Sequence, residues 1–199
     1  MNAKTKSESA FEAFCLENGL PFQKIVERVA PTPDYLLIVN GIDIHVEIKQ
    51  IDKDENFTSA LMMRIPGSHV RAKINEARNQ FRTVSHNGFP TILLVYNNLD
   101  PLQMFGTEPH DFLSAMYGDL TILVSRDTGL ASDVFHGQNK SFREGKNESF
   151  SAVGLLYREP IGIGLRLYEN MYAKVSLNYD SLPHCIRFNR IESRDSHDV

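Results

Sequence analysis

The sequence predicts an α/β fold built on a mixed sheet (an α+β mixed sheet), and three segments carry this prediction. Two apolar runs meet at Asn40-Gly41, the kind of dipeptide that most strongly indicates a β-hairpin. Residues 70–84 repeat apolar side chains every three or four positions, as a helix with one buried face does. Residues 91–96 form a continuous apolar run, which is typical of a strand buried on both faces.

Composition places the chain among ordinary globular proteins. Its 199 residues are 42% hydrophobic and 23% charged, and its net charge is −4, so we expect one domain over residues 1–199. The acidic balance argues against indiscriminate nucleic-acid binding, which usually leaves a basic footprint. No apolar run approaches the ~20 residues of a membrane span, and the N-terminus lacks the apolar core of a secretory signal. Two cysteines without metal or redox spacing suit a reducing compartment, so we expect a cytoplasmic protein without membrane association.

The first predicted elements are a helix and a strand. Residues 7–18 predict the helix, with Ser7 or Ser9 as its cap. Ser9 and Glu12 match a capping box, in which the Glu12 carboxylate would accept a hydrogen bond from the Ser9 amide. Residues 23–29 then predict a strand.

The Asn-Gly turn fixes the register of the predicted hairpin. A two-residue turn pairs the residues on either side of it, and counting along both strands places Asp34 opposite Glu47. Opposed side chains on one face have Cβ atoms about 4.5–5.5 Å apart, and two carboxylates that close repel unless a cation lies between them. Lys49 lies two residues beyond Glu47, on the same face. The hairpin therefore predicts an acidic pair with an ammonium group beside it.

A second interpretation is that the polar residues of this strand simply face water. They alternate with apolar residues as on any half-buried antiparallel strand, and they are Asp43, His45, Glu47 and Lys49. The neighbouring strand favours a functional site, because Leu36 and Ile38 project to the same face and make it only partly wet. On this face we expect His45 to be a neutral neighbour of Glu47 or a substrate contact.

Pro33-Asp34, twelve residues and then Glu47-Ile48-Lys49 resemble the signature of the PD-(D/E)XK, or restriction-endonuclease-like, nuclease superfamily. The predicted order over residues 7–96 is helix, strand, strand, strand, helix, strand, which matches the core order of that family. The resemblance implies a restriction-endonuclease-like αβββαβ core over residues 7–96. Residues 97–188 would then be a C-terminal elaboration with further strands and helices, and residues 189–199 a polar tail.

The resemblance also implies a Mg²⁺-dependent endonuclease, with Mn²⁺ as a substitute metal and DNA as the expected partner. Asp34, Glu47 and the backbone carbonyl of Ile48 would bind the metal, since Mg²⁺ prefers oxygen ligands. Lys49 would orient the attacking water or stabilise charge that develops on the phosphate. In that family an acidic residue of the first helix often joins the metal site, and Glu12 has the matching position. The sequence does not decide whether Glu12 has this catalytic role or belongs to the capping box. RNA is an alternative substrate. A homodimer is also possible, because cutting both strands of a duplex often needs two active sites.

The second predicted helix concentrates positive charge. Between Arg64 and Arg82 there are five basic residues against Glu76 alone. At 100° per residue, Arg71 and Arg78 share one flank of the buried stripe, and the opposite flank carries Lys73 and Gln80. Long basic side chains can also serve only to keep a surface helix in water. We expect the cluster as a whole to contact nucleic-acid phosphates through Arg71, Lys73, Arg78, Gln80 and Arg82.

The second half of the chain predicts further elements with less functional content. Residues 109–117 predict a short helix, and residues 120–124 predict a buried strand that extends the sheet. Residues 127–149 predict a long polar loop. Residues 152–157 and 163–168 predict a late pair of strands.

Two other classes of protein fit the same sequence. The fold could be kept without catalysis, as a nucleic-acid-binding or scaffolding module, although an intact Asp34, Glu47 and Lys49 argues against this. The motif could also be accidental in an unrelated α/β interaction domain, in which case Asp34 and Glu47 would not converge in space. The positions of these side chains separate the last class from the others.

Overall fold

The computed structural model describes residues 4–26, 31–53, 64–99, 102–103 and 105–190. Within these residues the helices are α1 (Lys6–Glu17), α2 (Ser68–His86) and α3 (Pro109–Tyr117). The strands are β1 (Phe22–Lys24), β2 (Tyr35–Val39), β3 (Ile42–Ile51), β4 (Thr91–Asn97), β5 (Leu120–Val124), β6 (Ala131–His136), β7 (Ala152–Arg158), β8 (Ile163–Glu169) and β9 (Ile186–Asn189). A short 3₁₀ turn, Tyr179–Ser181, precedes β9.

A seven-stranded mixed sheet in the order β1-β2-β3-β4-β7-β8-β9 forms the centre of the fold. The β3–β4, β4–β7 and β8–β9 pairs are parallel, whereas the β1–β2, β2–β3 and β7–β8 pairs are antiparallel. This confirms the predicted α/β fold on a mixed sheet. Among the described residues, the first six elements also follow the predicted order of helix, three strands, helix and strand.

Helices cover both faces of this sheet and enclose one apolar core on each side. On one face, α1 buries Phe11 and Phe14 against the even-numbered residues of β3. On the other face, α2 packs on β3 and β4 through its predicted stripe, in which Val70, Ile74 and Phe81 are fully buried. Each such side chain contributes roughly 1.5–3 kcal/mol to folding. The odd-numbered residues of β3 therefore lie on the α2 side.

The β2–β3 hairpin has the predicted turn and register. Asn40 and Gly41 have φ values of 49° and 78°, the left-handed conformation that both central residues of a type I′ turn require. The strands pair as predicted, from Val39 with Ile42 to Tyr35 with Val46. The next position along this ladder places Asp34 opposite Glu47, as the prediction requires.

The prediction for the start of α1 is wrong. The helix cap is Thr5, whose side chain accepts the Glu8 amide N–H while the Glu8 carboxylate accepts the Thr5 amide N–H. This is a complete capping box one turn before the predicted one. Glu12 therefore lies inside the helix and does not cap it.

Two predictions for the second half are also wrong. Residues 120–124 form a strand, but β5 is exposed and does not extend the main sheet. It pairs with β6 in a separate two-stranded ribbon, and β6 lies inside the segment 127–149 that was expected to be a loop. A short apolar run does not reveal by itself whether its strand is buried. The helix over residues 109–117 and the late strand pair are confirmed as α3, β7 and β8.

Some predicted segments extend beyond the part of the chain that the structure describes. The strand expected over residues 23–29 is observed as the shorter β1, and residues 27–30 lie outside the described residues. The tail expected over residues 189–199 begins in β9 at Asn189, and from residue 191 onward it also lies outside them. None of the described helices is long and apolar enough to cross a membrane.

Candidate functional site

Glu47 lies in β3, near the middle of the sheet, and is only 2% exposed. Its Oε1 atom forms an ion pair with the Lys49 ammonium nitrogen at 2.7 Å. Its Oε2 atom is buried and has no hydrogen-bond partner among the described residues. Buried carboxylate oxygens are costly without a partner, so this oxygen is placed to receive a ligand.

Asp34 lies immediately before β2 and is half-buried. Its Oδ2 atom accepts a hydrogen bond from the Ile48 amide at 2.8 Å. The N–H and C=O groups of one strand residue point to the same side of the strand, so the Ile48 carbonyl lies on the edge of β3 that faces Asp34. The bond also holds Asp34 against the strand that carries Glu47.

The electrostatics of the two acids reflect their burial and their mutual repulsion. Burial, and then the charge of Asp34, raise the pKa of Glu47 to about 7, although the Lys49 ammonium opposes this rise. Burial also raises the pKa of Asp34, and the Ile48 amide and Lys49 oppose that rise. Two carboxyl groups with raised pKa values at one place are a frequent property of functional sites.

The donor atoms around this pair suit a hard divalent cation. Asp34, Glu47 and the Ile48 carbonyl offer oxygen ligands, which Mg²⁺ and Mn²⁺ prefer. The unpartnered Glu47 Oε2 atom fits such an ion because coordination would satisfy it. The residues that the sequence assigned to a metal site are therefore brought together, with Lys49 beside them.

Glu12 has different neighbours. Its Oε1 atom accepts a hydrogen bond from the Tyr35 hydroxyl at 2.8 Å, and its Oε2 atom pairs with Lys4. Tyr35 projects into the core beneath α1, whereas Asp34, the adjacent residue, projects to the opposite face. The structure thus shows no contact between Glu12 and the acidic pair, and its catalytic role stays a prediction without contact support.

Sequence reasoning missed a different acid of α1. Glu8 pairs with Lys24 at 2.5 Å, and both charges act on Asp34: Glu8 raises its pKa and Lys24 lowers it. The charge of Glu8 thus acts on Asp34, while its own contacts are with Lys24 and Thr5. The signal was present, because Thr5 and Glu8 have the same capping-box spacing as Ser9 and Glu12.

The basic residues of α2 differ in whether their side chains already contact other groups of the protein. Arg71 donates to the Ser114 carbonyl of α3 and to Asp119, both at 3.0 Å, and Lys73 pairs with Glu76. The Gln80 carboxamide lies against carbonyls of its own helix. Arg78 and Arg82 are exposed. The Arg71 flank therefore faces α3, and Lys73 and Gln80 lie on the opposite flank of α2.

His45 shares the face of β3 that carries Glu47. Its ring packs against Phe89, with centroids 5.4 Å apart, and burial lowers its pKa. Its Nδ1 atom has no hydrogen-bond partner among the residues that the structure describes. A neutral ring is consistent with the expected neighbour of Glu47, and substrate contact by His45 stays a prediction.

No family model, curated protein or solved structure significantly matches the chain. The candidate site is therefore defined by its own geometry: the buried Glu47, the opposed Asp34 and the adjacent Lys49.

A second cluster brings Glu108, His110 and Asp111 donor atoms within 4.8 Å of one another. Asp111 is completely buried, accepts hydrogen bonds from the Gly67 amide at 2.8 Å and the Glu108 amide at 3.0 Å, and pairs with Arg64. Arg64 also pairs with Glu108 at 2.9 Å. The carboxylates already have a cation and backbone donors, so this cluster joins the start of α3 to the segment before α2.

Asp111→Asn is expected to lower the free energy of unfolding by about 3 kcal/mol, the low end for a broken buried ion pair, because Arg64 keeps Glu108. Urea unfolding measures this loss. His110→Gln is the control, since His110 is 56% exposed and its replacement should change stability by less than about 0.5 kcal/mol. A divalent ion that stabilises the wild type but not Asp111→Asn would show that the cluster is a metal site instead.

Proposed function

We propose that the protein is a metal-dependent nuclease of the PD-(D/E)XK type that hydrolyses phosphodiester bonds, with DNA as its main substrate. The observation that carries this proposal is the buried Glu47 with an unpartnered oxygen, opposite Asp34 and paired with Lys49. A purely structural role explains this group poorly. Asp34 and Glu47 beside the single Lys49 ammonium group leave an excess of negative charge at a partly buried site, which lowers the stability of the fold.

The order of the elements supports the same assignment. The site lies on the second and third strands of a helix, three strands, helix and strand series, where the restriction-endonuclease-like core carries its acidic motif. Fold alone does not determine function. The weight of the proposal therefore rests on the side chains of the site.

The residues of the site divide into metal ligands and a charge-stabilising group. Asp34, Glu47 and the Ile48 carbonyl would hold Mg²⁺ or Mn²⁺. When bound, such a metal polarises a phosphoryl oxygen and acidifies a water molecule at neutral pH. The Lys49 side chain is 24% exposed, so its ammonium reaches both Glu47 and the solvent side. There it donates hydrogen bonds to the attacking water or to phosphate oxygens and stabilises their developing negative charge.

The substrate backbone would lie between the hairpin and α2. Lys73 and Gln80 lie on the flank of α2 away from α3 and would contact this backbone, whereas the exposed Arg78 and Arg82 lie on the Arg71 flank and would contact phosphates farther along it. Contacts of this kind fix the position of a nucleic acid without reading its sequence. Lys73 forms an exposed ion pair with Glu76 that contributes little energy. On substrate binding it would leave Glu76 and bind a phosphate.

The decisive experiment measures metal binding and cleavage in parallel. Calorimetry with Mn²⁺ should detect binding to the wild type and at least about 100-fold weaker binding to Asp34→Ala, since even outer-sphere partners of a metal are worth 10–100-fold. Asp43→Ala is the matched control, because Asp43 lies on the same face of the same hairpin. Wild type and Asp43→Ala should cleave DNA in Mg²⁺, and Asp34→Ala should not.

The outcomes separate the alternative classes. If the wild type binds no divalent ion, or if Asp34→Ala and Asp43→Ala lose binding equally, the metal site is wrong. If the metal binds as expected but neither DNA nor RNA is cut, the protein is a catalytically silent member of the same fold.

A further inference from the structure

The β5–β6 ribbon stands apart from the main sheet. Its base is closed by backbone hydrogen bonds between Asp119 and residues 137 and 138, and Arg71 of α2 binds Asp119. Beyond this base the two strands are exposed on both faces. A two-stranded ribbon without packing on either face is marginally stable in water, so a covering surface would stabilise it.

One face of the ribbon is almost entirely apolar. The register pairs Ile122 with Val134 and Val124 with Ala131, so these side chains share a face with Leu120. His136, the partner of Leu120, lies at the end of this face beside the base of the ribbon. Leu120, Ile122, Val124 and Val134 are each between 55% and 62% exposed. Together they leave on the order of 400 Å² of apolar surface in water, the size of patches that mark interaction sites.

We propose that this apolar face of the ribbon is a homodimer interface, packed against the same face of a second copy of the chain. A two-fold axis brings one patch against itself, so a flat patch without charge is complementary to its own copy. Two such faces would bury about 800 Å² through these side chains alone, toward the roughly 1,200 Å² at which stable interfaces begin. Leu130 in the connecting turn is 68% exposed and is available to add to this area.

The charge of the ribbon argues against a nucleic-acid partner for this face. Residues 120–136 contain Arg126 as their single Lys or Arg residue, against Asp127 and Asp133, and end in His136. The apolar face carries neither Lys nor Arg, which phosphate contact requires. Its one ionisable side chain, His136, is hydrogen-bonded to the Gly118 carbonyl at the base of the ribbon. Packing the face on itself buries no unpaired charge, so a second copy is the occupant that the chemistry favours.

The test is sedimentation velocity of the full chain over about 1–100 μM, without metal or nucleic acid, so that its result is independent of the nuclease proposal. The wild type should be a dimer. Ile122→Thr/Val134→Thr should weaken dimerisation at least about 100-fold, because each lost apolar contact acts twice across a two-fold axis. Threonine keeps strand propensity, and both positions are exposed in the single chain, so the variant should stay folded by circular dichroism.

Leu123→Thr/Phe135→Thr is the matched control, because these two exposed apolar side chains lie on the opposite face of the same ribbon. This variant should remain a dimer. A wild type that is monomeric at about 100 μM, or equal weakening by both variants, would overturn the proposal. Monomeric protein that floats with phosphatidylcholine vesicles through Ile122 and Val134 would also overturn it and assign the face to lipid.

Discussion

Glu47→Gln is expected to stabilise the metal-free protein by about 3 kcal/mol at pH 8 and to have little effect near pH 4. Burial and the charge of Asp34 raise the pKa of Glu47 from 4.5 to about 7. Between these two pH values the folded protein holds a proton that the unfolded chain has released. Its stability therefore falls as the pH rises through this window, and the loss is complete above pH 7. Glutamine cannot ionise, so it removes this loss.

Urea unfolding in EDTA at pH 4, 5, 6, 7 and 8 measures the difference between the two proteins. Glu12→Gln is the control with the opposite sign: its contacts with Lys4 and Tyr35 hold the pKa of Glu12 below its usual value, so its replacement should destabilise the protein at pH 8. If Glu47→Gln were less stable than the wild type at every pH, Glu47 would be stabilising the fold, and its retention would no longer need a functional reason.

Lys49→Met is expected to reduce kcat for DNA cleavage by about 10²–10³-fold, the usual effect of removing one group that stabilises transition-state charge. Substrate KM should change little, because the lost interaction forms mainly as charge develops. Mn²⁺ binding should persist at pH 8, because the ion displaces the proton that Glu47 holds more tightly once the Lys49 ammonium is removed. Single-turnover cleavage and calorimetry on the same protein samples measure the two effects separately.

Lys174→Met is the control for the loss of one ammonium group, because Lys174 is exposed on the segment after β8 and outside the site. Its cleavage rate should equal that of the wild type. If Lys49→Met lost Mn²⁺ binding together with cleavage, Lys49 would act by holding the Glu47 carboxylate in place and not on the phosphate.

The hairpin shows why most of the candidate site could be predicted from the sequence. A type I′ turn at Asn40-Gly41 leaves only one register, and that register decides which residues face one another over the next eight positions. Local chemistry thus determines that Asp34, Glu47 and Lys49 converge. The apolar stripe of α2 is equally informative, because its spacing of three and four has a single structural solution.

The incorrect predictions concern choices that local sequence does not decide. Thr5 with Glu8 and Ser9 with Glu12 are equally good capping boxes, and the helix begins at the earlier one. There the Ser7 amide binds the Gln50 side chain of β3. β5 resembles a buried strand in sequence, yet within the described residues it pairs with the adjacent β6 alone. Both choices depend on contacts between distant segments, which hydrophobic patterns do not specify.

The strands at the two ends of the main sheet are very short in the described chain: three residues in β1 and four in β9. An outer strand with open backbone groups is a template onto which another chain can add, and natural proteins limit this risk with brevity and charge. Lys24 and Arg187 supply charge at these two borders. A foreign strand would find only a few positions to pair with at either border, so fibril-like growth by strand addition is disfavoured there.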